Sequence, residues 1–217
     1  MVNSVIRHLV MSDFIIQFAF GLLSPIFAVF ILKTIPGSTL RVIGTASACY
    51  WIARVISTVP LSRFMDKTDG ERDEFYFSIA GSFIISSLPL FYLLMQEAWH
   101  LYLIQFIYGL ANSMAVPAWR ILFTDHLDHG RTGFEWSLED VAIGLAAATS
   151  AYVGSLLADK FGFPFVLILL AMLGYLGTMF LIPLHRDAKT LTQIKREKRF
   201  AMMLFKRKTL GPPKVKN

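Results

Sequence analysis

From Phe14 to Leu184 the chain is a succession of long apolar runs separated by short polar breaks. A helix needs roughly 20 apolar residues to cross a hydrocarbon layer about 30 Å thick. Six runs meet that length, and they predict helices over about 12–33, 40–63, 75–96, 99–124, 133–158 and 163–184. The breaks are Pro36-Gly37, the charged stretch Arg63 to Glu74, Gln96-Glu97, Asp125 to Gly133 and Asp159 to Gly162. Runs such as Phe14 to Leu32 are almost continuously apolar, whereas the strands of a membrane barrel would alternate. In lipid every backbone polar group must be satisfied within the segment, so these runs fold as helices. The expected fold is an all-α membrane domain of six transmembrane helices over residues 1–185, followed by a basic tail over 186–217.

Composition agrees with the pattern. Hydrophobic residues make up 55% of the chain and charged residues 17%, against about 25% charged in soluble domains. Of 21 Lys and Arg, 16 fall at the N-terminus, the second and fourth loops and the tail; only Lys33, Arg41 and Lys160 lie in the opposite loops. Positive charge marks the cytoplasmic side, so both termini are expected in the cytoplasm and the protein in an inner or plasma membrane. The tail carries 11 basic and two acidic residues. Anionic lipid attracts such a segment; an interfacial helix and a solvated topology-fixing tail both fit, and no nucleic-acid partner is implied. Cys49 is the only cysteine, so no intrachain disulfide can form. Residues Met1 to Ser12 lack a cleavable signal pattern, and the first helix is expected to remain.

Ionisable groups at membrane depth are costly, and each needs a reason. Arg54 lies in the middle of the second run. It fits an anionic solute, a carboxylate across an interface, or a snorkelling side chain. Glu135, Glu139 and Asp140 open the fifth run. Acids near a helix N-terminus suit the macrodipole, which explains Glu135 better than the two further in. An ion pair between Arg120 and Glu135 is one expectation; Glu139 and Asp140 are candidate solute or proton carboxylates. Asp13, after Ser12, reads as an N-cap. Gln17, Gln105, Asn112 and Tyr50 are candidate cavity hydrogen-bonders or interhelical glue, and Trp99 is expected to anchor the interface.

Two stretches carry a family resemblance. The loop after the second run reads Ser62-Arg63-Phe64-Met65-Asp66-Lys67-Thr68-Asp69-Gly70-Glu71-Arg72. It resembles the loop between helices 2 and 3 of the major facilitator superfamily, with Ser62 in place of the leading Gly and one extra residue before Gly70. The passage Gly154-Ser155-Leu156-Leu157-Ala158-Asp159-Lys160-Phe161-Gly162-Phe163 is similar to that family's junction of helices 5 and 6. The resemblance covers about residues 8–185. It implies a gating role for Asp66, Lys67, Gly70 and Arg72. Two departures stand out: Gln105 occupies the position of a helix-4 Arg found in many proton-coupled members, and Ser137, Ala146, Ser150 and Ala151 replace Gly or Pro of the helix-5 antiporter signature, with Gly154 kept.

The family has two six-helix halves with the solute between them, and six spans supply one half. The resemblance therefore implies a half-size secondary transporter moving a small solute by alternating access. Its partner is expected to be a second copy or a separately encoded half. A non-transporting scaffold is the alternative. No enzyme chemistry is visible: Asp69-Gly70 is followed by Glu71-Arg72-Asp73 rather than the Asp-Gly-x-x-Ala-Arg run of phospholipid alcohol transferases, and no Gly-rich nucleotide loop precedes Lys-Ser/Thr. His126 and His129 flank Asp128 in a turn, which is a poor metal site. No metal or cofactor is expected.

Overall fold

A computed structural model describes residues 3–67 and 71–186. Gly70 of the expected gating loop and the basic tail beyond Arg186 lie outside the described residues. Helices are the only extended elements among those described. The first span consists of α1 (Ser4–Gly21) and α2 (Phe27–Thr34), separated by a 3-10 turn at Ser24–Ile26. Pro25 sits in that turn, where it has no N–H to donate to the preceding helix. Then follow α3 (Leu40–Met65), α4 (Glu71–Tyr92), α5 (Ala98–Asp125) and α6 (Thr132–Met179). Five stretches are long and apolar enough to cross a membrane: Ser4–Thr34, α3, α4, α5 and Thr132–His185.

Two helix starts lie earlier than the apolar runs suggest. The α1 helix begins at Ser4, where the Asn3 side chain accepts a hydrogen bond from the Val5 N–H at 3.0 Å. Val5, Ile6 and Leu9 are buried and carry the helix past the polar Arg7 and His8. Asp13 is therefore not an N-cap; it lies well inside α1. The α4 helix likewise starts in the charged stretch, with Glu71, Asp73 and Glu74 in its first turn, where the helix dipole favours acids.

The last helix breaks at Gly162, with φ 80° and ψ 169°, a backbone region open essentially to glycine alone. Helical structure continues up to Phe161, further than the expected Asp159–Gly162 loop. The first limb (132–161) runs along α1, bringing Ser150 against Gly21 and Gly154 against Leu22. The second limb (163–179) returns, with Phe163 beside Phe30 at 5.3 Å and the Gly177 carbonyl accepting from Ser12 Oγ at 2.8 Å.

The helices pack as an open ring. The main seams are α1 with α6, α6 with α4, α4 with α5, and α5 with α3, while α1 and α5 barely touch. Lipid offers no hydrophobic drive between helices, so close backbone approach over small residues has to hold them. A Cβ on Gly109 would overlap the Tyr50 carbonyl, and one on Gly81 would lie 2.7 Å from the Ala111 carbonyl. Of the helix-5 small residues, Ala146, Ser150 and Gly154 are buried in the α1 seam, whereas Ser137 is exposed. The apolar core forms two principal clusters. One gathers Leu23, Phe30, Leu88, Tyr92, Leu101 and Leu170; the other gathers Ile6, Leu9, Phe75, Phe123 and Leu181. Along α1 the polar positions Ser12, Asp13 and Gln17 fall between these clusters.

Candidate functional site

Between the two clusters the ring leaves two cavities. The larger, about 450 Å³, is bounded by α1 and α2 (Gln17, Phe20, Phe27), α4 (Pro89, Tyr92), α5 (Gln105, Tyr108) and the first limb of α6. Its walls are aromatic and aliphatic with a few amide and hydroxyl groups, the usual make-up of a small-molecule site. Gln105 is buried and donates from Nε2 to the Tyr92 hydroxyl at 3.2 Å. This neutral pair stands where an Arg would have brought a charge.

The smaller cavity, about 280 Å³, lies toward the start of α1 and shares Gln17, Phe20, Tyr108 and Ile143 with the first. Asp13, Asn112, Trp119, Arg120, Trp136, Glu139 and Asp140 line it. Glu139 is only 3% exposed, and no donor reaches its Oε2. Its carboxyl lies beside that of Asp13 on the cavity wall. Asn112 donates to the Tyr108 carbonyl of its own helix at 3.3 Å.

The structure thus gathers Gln17, Gln105, Asn112, Glu139 and Asp140 around the two cavities. Arg54 lines neither. It is half-buried on α3, its guanidinium 5.8 Å from the Tyr50 ring and 5.3 Å from the Trp51 ring, with Nη1 donating to the Tyr50 hydroxyl at 2.6 Å. It has no carboxylate partner among the described residues. Ring contacts still connect it to the larger cavity, since Tyr50 packs on Tyr108 at 5.0 Å and Tyr108 stacks on Phe20 at 5.8 Å.

The expected Arg120–Glu135 pair does not form among the described residues. Glu135 is fully buried, and its Oε2 accepts from the Asp128 backbone N–H at 3.0 Å, so it closes the loop before α6 instead. Arg120 turns to the smaller cavity. Asp66, Lys67 and Arg72 are exposed around the α3–α4 junction. Three residues gain roles that the sequence did not suggest. Tyr108 is a wall of both cavities, Tyr92 holds Gln105, and Ser113 ties α5 to α3 by donating to the Arg54 carbonyl at 3.1 Å. Tyr92 and Tyr108 sit in apolar runs where any aromatic residue reads as lipid-facing.

The family model of the Major Facilitator Superfamily matches residues 9–214. The chain belongs to that superfamily. Its fold matches the in meso crystal structure of the POT family transporter PepTSo with a TM-score of 0.73 at 15% sequence identity, over 88% of this chain and 39% of that one. The chain therefore spans well under half the length of that structure. No curated protein matches it. Membership of that superfamily makes the chain an integral membrane protein.

Proposed function

We propose that the chain forms one half of a secondary transporter, a six-crossing bundle that carries a small polar or amphipathic solute by alternating access. The two limbs of α6 cross separately, and both termini lie in the cytoplasm of a cell bounded by an inner or plasma membrane. The larger cavity carries this reading: it lies mid-bundle, apolar with sparse amide and hydroxyl groups, and faces the gap where α1 and α5 barely meet. Membership of the family and the fold likeness support it. The second wall comes from another six-helix unit, either a second copy related by a two-fold axis or a separate half. The coverage of α3 favours such a partner. Only 11% of its most apolar stretch is buried, against 50% for α4.

Cross-linking in native membranes tests this. A species at twice 24.5 kDa is expected for a homodimer; a heavier mixed species identifies a separate half. Solute uptake into proteoliposomes then distinguishes a carrier from a scaffold, which would show the association without flux. A solitary chain with no flux would refute the reading.

The retained Asp66-Lys67 pair supports a gate in which Asp66 docks at the start of α6 of the second unit, near its Arg131 and Thr132. Asp66→Asn is expected to raise the thiol reactivity of Ser137→Cys, built in a Cys49→Ser background, by severalfold. Unchanged labelling would remove the gate.

A further inference from the structure

His126 follows α5 directly and lines neither cavity. Three helices meet at this residue. On α5, the ring Nδ1 lies 2.9 Å from the Leu122 carbonyl, one turn back. A carbonyl only accepts, so Nδ1 carries the hydrogen and donates. From α1, Asn3 Nδ2 donates to the His126 carbonyl at 3.3 Å, while Asn3 Oδ1 caps α1 by accepting from the Val5 N–H. That bond crosses the gap where α1 and α5 otherwise barely touch. From α4, Glu71 Oε2 lies 3.9 Å from the ring Nε2, and both side chains are largely buried.

The tautomer decides what Nε2 can do. With Nδ1–H committed to Leu122, a neutral ring presents a bare lone pair at Nε2. An ionised Glu71 also only accepts, so no hydrogen lies between the two. A second proton reverses this: Nε2–H then donates to Oε2, and the imidazolium attracts the carboxylate. The surroundings suit that cation. The C-terminal end of a helix favours positive charge. Asp125 precedes His126 on α5, Asp128 follows it in the turn, Glu74 lies one turn beyond Glu71, and Glu135 of α6 holds the Asp128 N–H; all are acids. On α1, Arg7 is exposed and His8 bonds to the Ser4 carbonyl at 2.7 Å; His129 and Arg131 of the turn are exposed. After α6, His185 packs on the Phe75 and Tyr76 rings.

We propose that His126 is a pH-sensitive latch: a proton taken up at Nε2 draws Glu71 onto the ring and binds the start of α4 to the end of α5, with Asn3 holding α1 to the same residue. The proton comes from the aqueous medium and forms an N–H bond; its release returns the neutral ring and parts Glu71 from it. Glu71 lies just past the loop that carries Asp66 and Lys67, so the latch acts on the same mouth as the gate. Acidic medium on this face holds the mouth closed, and alkaline medium frees it. The effect on transport rests on the carrier reading above; the pairing itself is measured without solute and stands or falls separately.

The test is thermal melting of the full purified chain in lipid nanodiscs at about pH 5.5 and about pH 8, either side of the imidazole range. Stability from the pairing is present while the ring is protonated and lost as the medium turns alkaline. At the acidic value His126→Gln and Glu71→Gln should each melt lower than the parent chain, and the double variant no lower than the worse single, the mark of a coupled pair. At the alkaline value the coupling should vanish. His129→Gln should match the parent at both. Coupling that is absent in acid, or equal at the two values, overturns the latch. A second measurement needs no variant. Hydrogen exchange of the unmodified chain, corrected for its intrinsic pH dependence, should slow severalfold in segments 3–9 and 71–78 on acidification; no slowing refutes the proposal. The mouth is read by Ser137→Cys in the Cys49→Ser background. In acid it should label severalfold more slowly than the same chain carrying His126→Gln, and at the alkaline value equally, a comparison that cancels the thiol's own ionisation. Equal labelling at both values also overturns the latch.

Discussion

Gly154→Val should prevent the bundle from assembling, whereas Gly144→Val in the same limb should be tolerated. A Cβ at Gly154 would overlap the Leu22 carbonyl and lie 2.6 Å from the Leu22 Cα, so the obstacle is backbone that no rotamer change removes. At Gly144 nothing lies within 4 Å. Both substitutions change helix propensity alike, so the difference between them isolates the α1–α6 seam. Overpacking a close contact costs about 1–3 kcal/mol where side chains can give way. Here backbone must move, and the same seam positions Asp13 against Glu139. The expected result is a monodisperse Gly144→Val and an aggregated or early-melting Gly154→Val on gel filtration and thermal denaturation in detergent. Equal behaviour would mean that α1 and α6 do not pack this way.

Arg54→Met is expected to cut flux at least tenfold without lowering stability. An Arg in mid-span costs about 3 kcal/mol on insertion scales. What it recovers is smaller. Each ring contact contributes about 0.5–1 kcal/mol, and the bond to Tyr50 about 1 kcal/mol. A methionine, unbranched and uncharged, removes the cost together with those gains, so melting should be unchanged or higher. An Arg kept at such a cost fits use in binding, a common exchange of stability for activity. Uptake of any solute that raises the melting temperature of the parent chain should fall at least tenfold. If Arg54→Met melts lower and still transports, the side chain is structural.

Much of the helical layout is legible because lipid restricts the choices: apolar length sets the spans, and Pro25 and Gly162 interrupt them where the backbone requires it. The ends are less legible. Val5, Ile6 and Leu9 alternate with Arg7 and His8, so no apolar run announces the start of α1. Glu71, Asp73 and Glu74 read as loop until their place in a first turn is known. The site was legible as a list of costly residues but not as a set of partners. Arg120 and Glu135 are near in sequence and opposite in charge, yet helical phase turns one to a cavity and the other to the Asp128 N–H. Asp13 and Glu139 meet only because glycines let α1 settle against α6, a fact of three-dimensional packing that no local pattern encodes.

The open ring also has a mechanical meaning. With α1 and α6 joined on one side and α3 and α5 on the other, α4 is the spine of a clasp whose jaws meet only lightly. Its inner surface is serine-rich, with Ser78, Ser82 and Ser86 buried. Flexing would concentrate there. Spin labels on the outer surfaces of α3 and the first limb of α6 would read the width of the mouth directly.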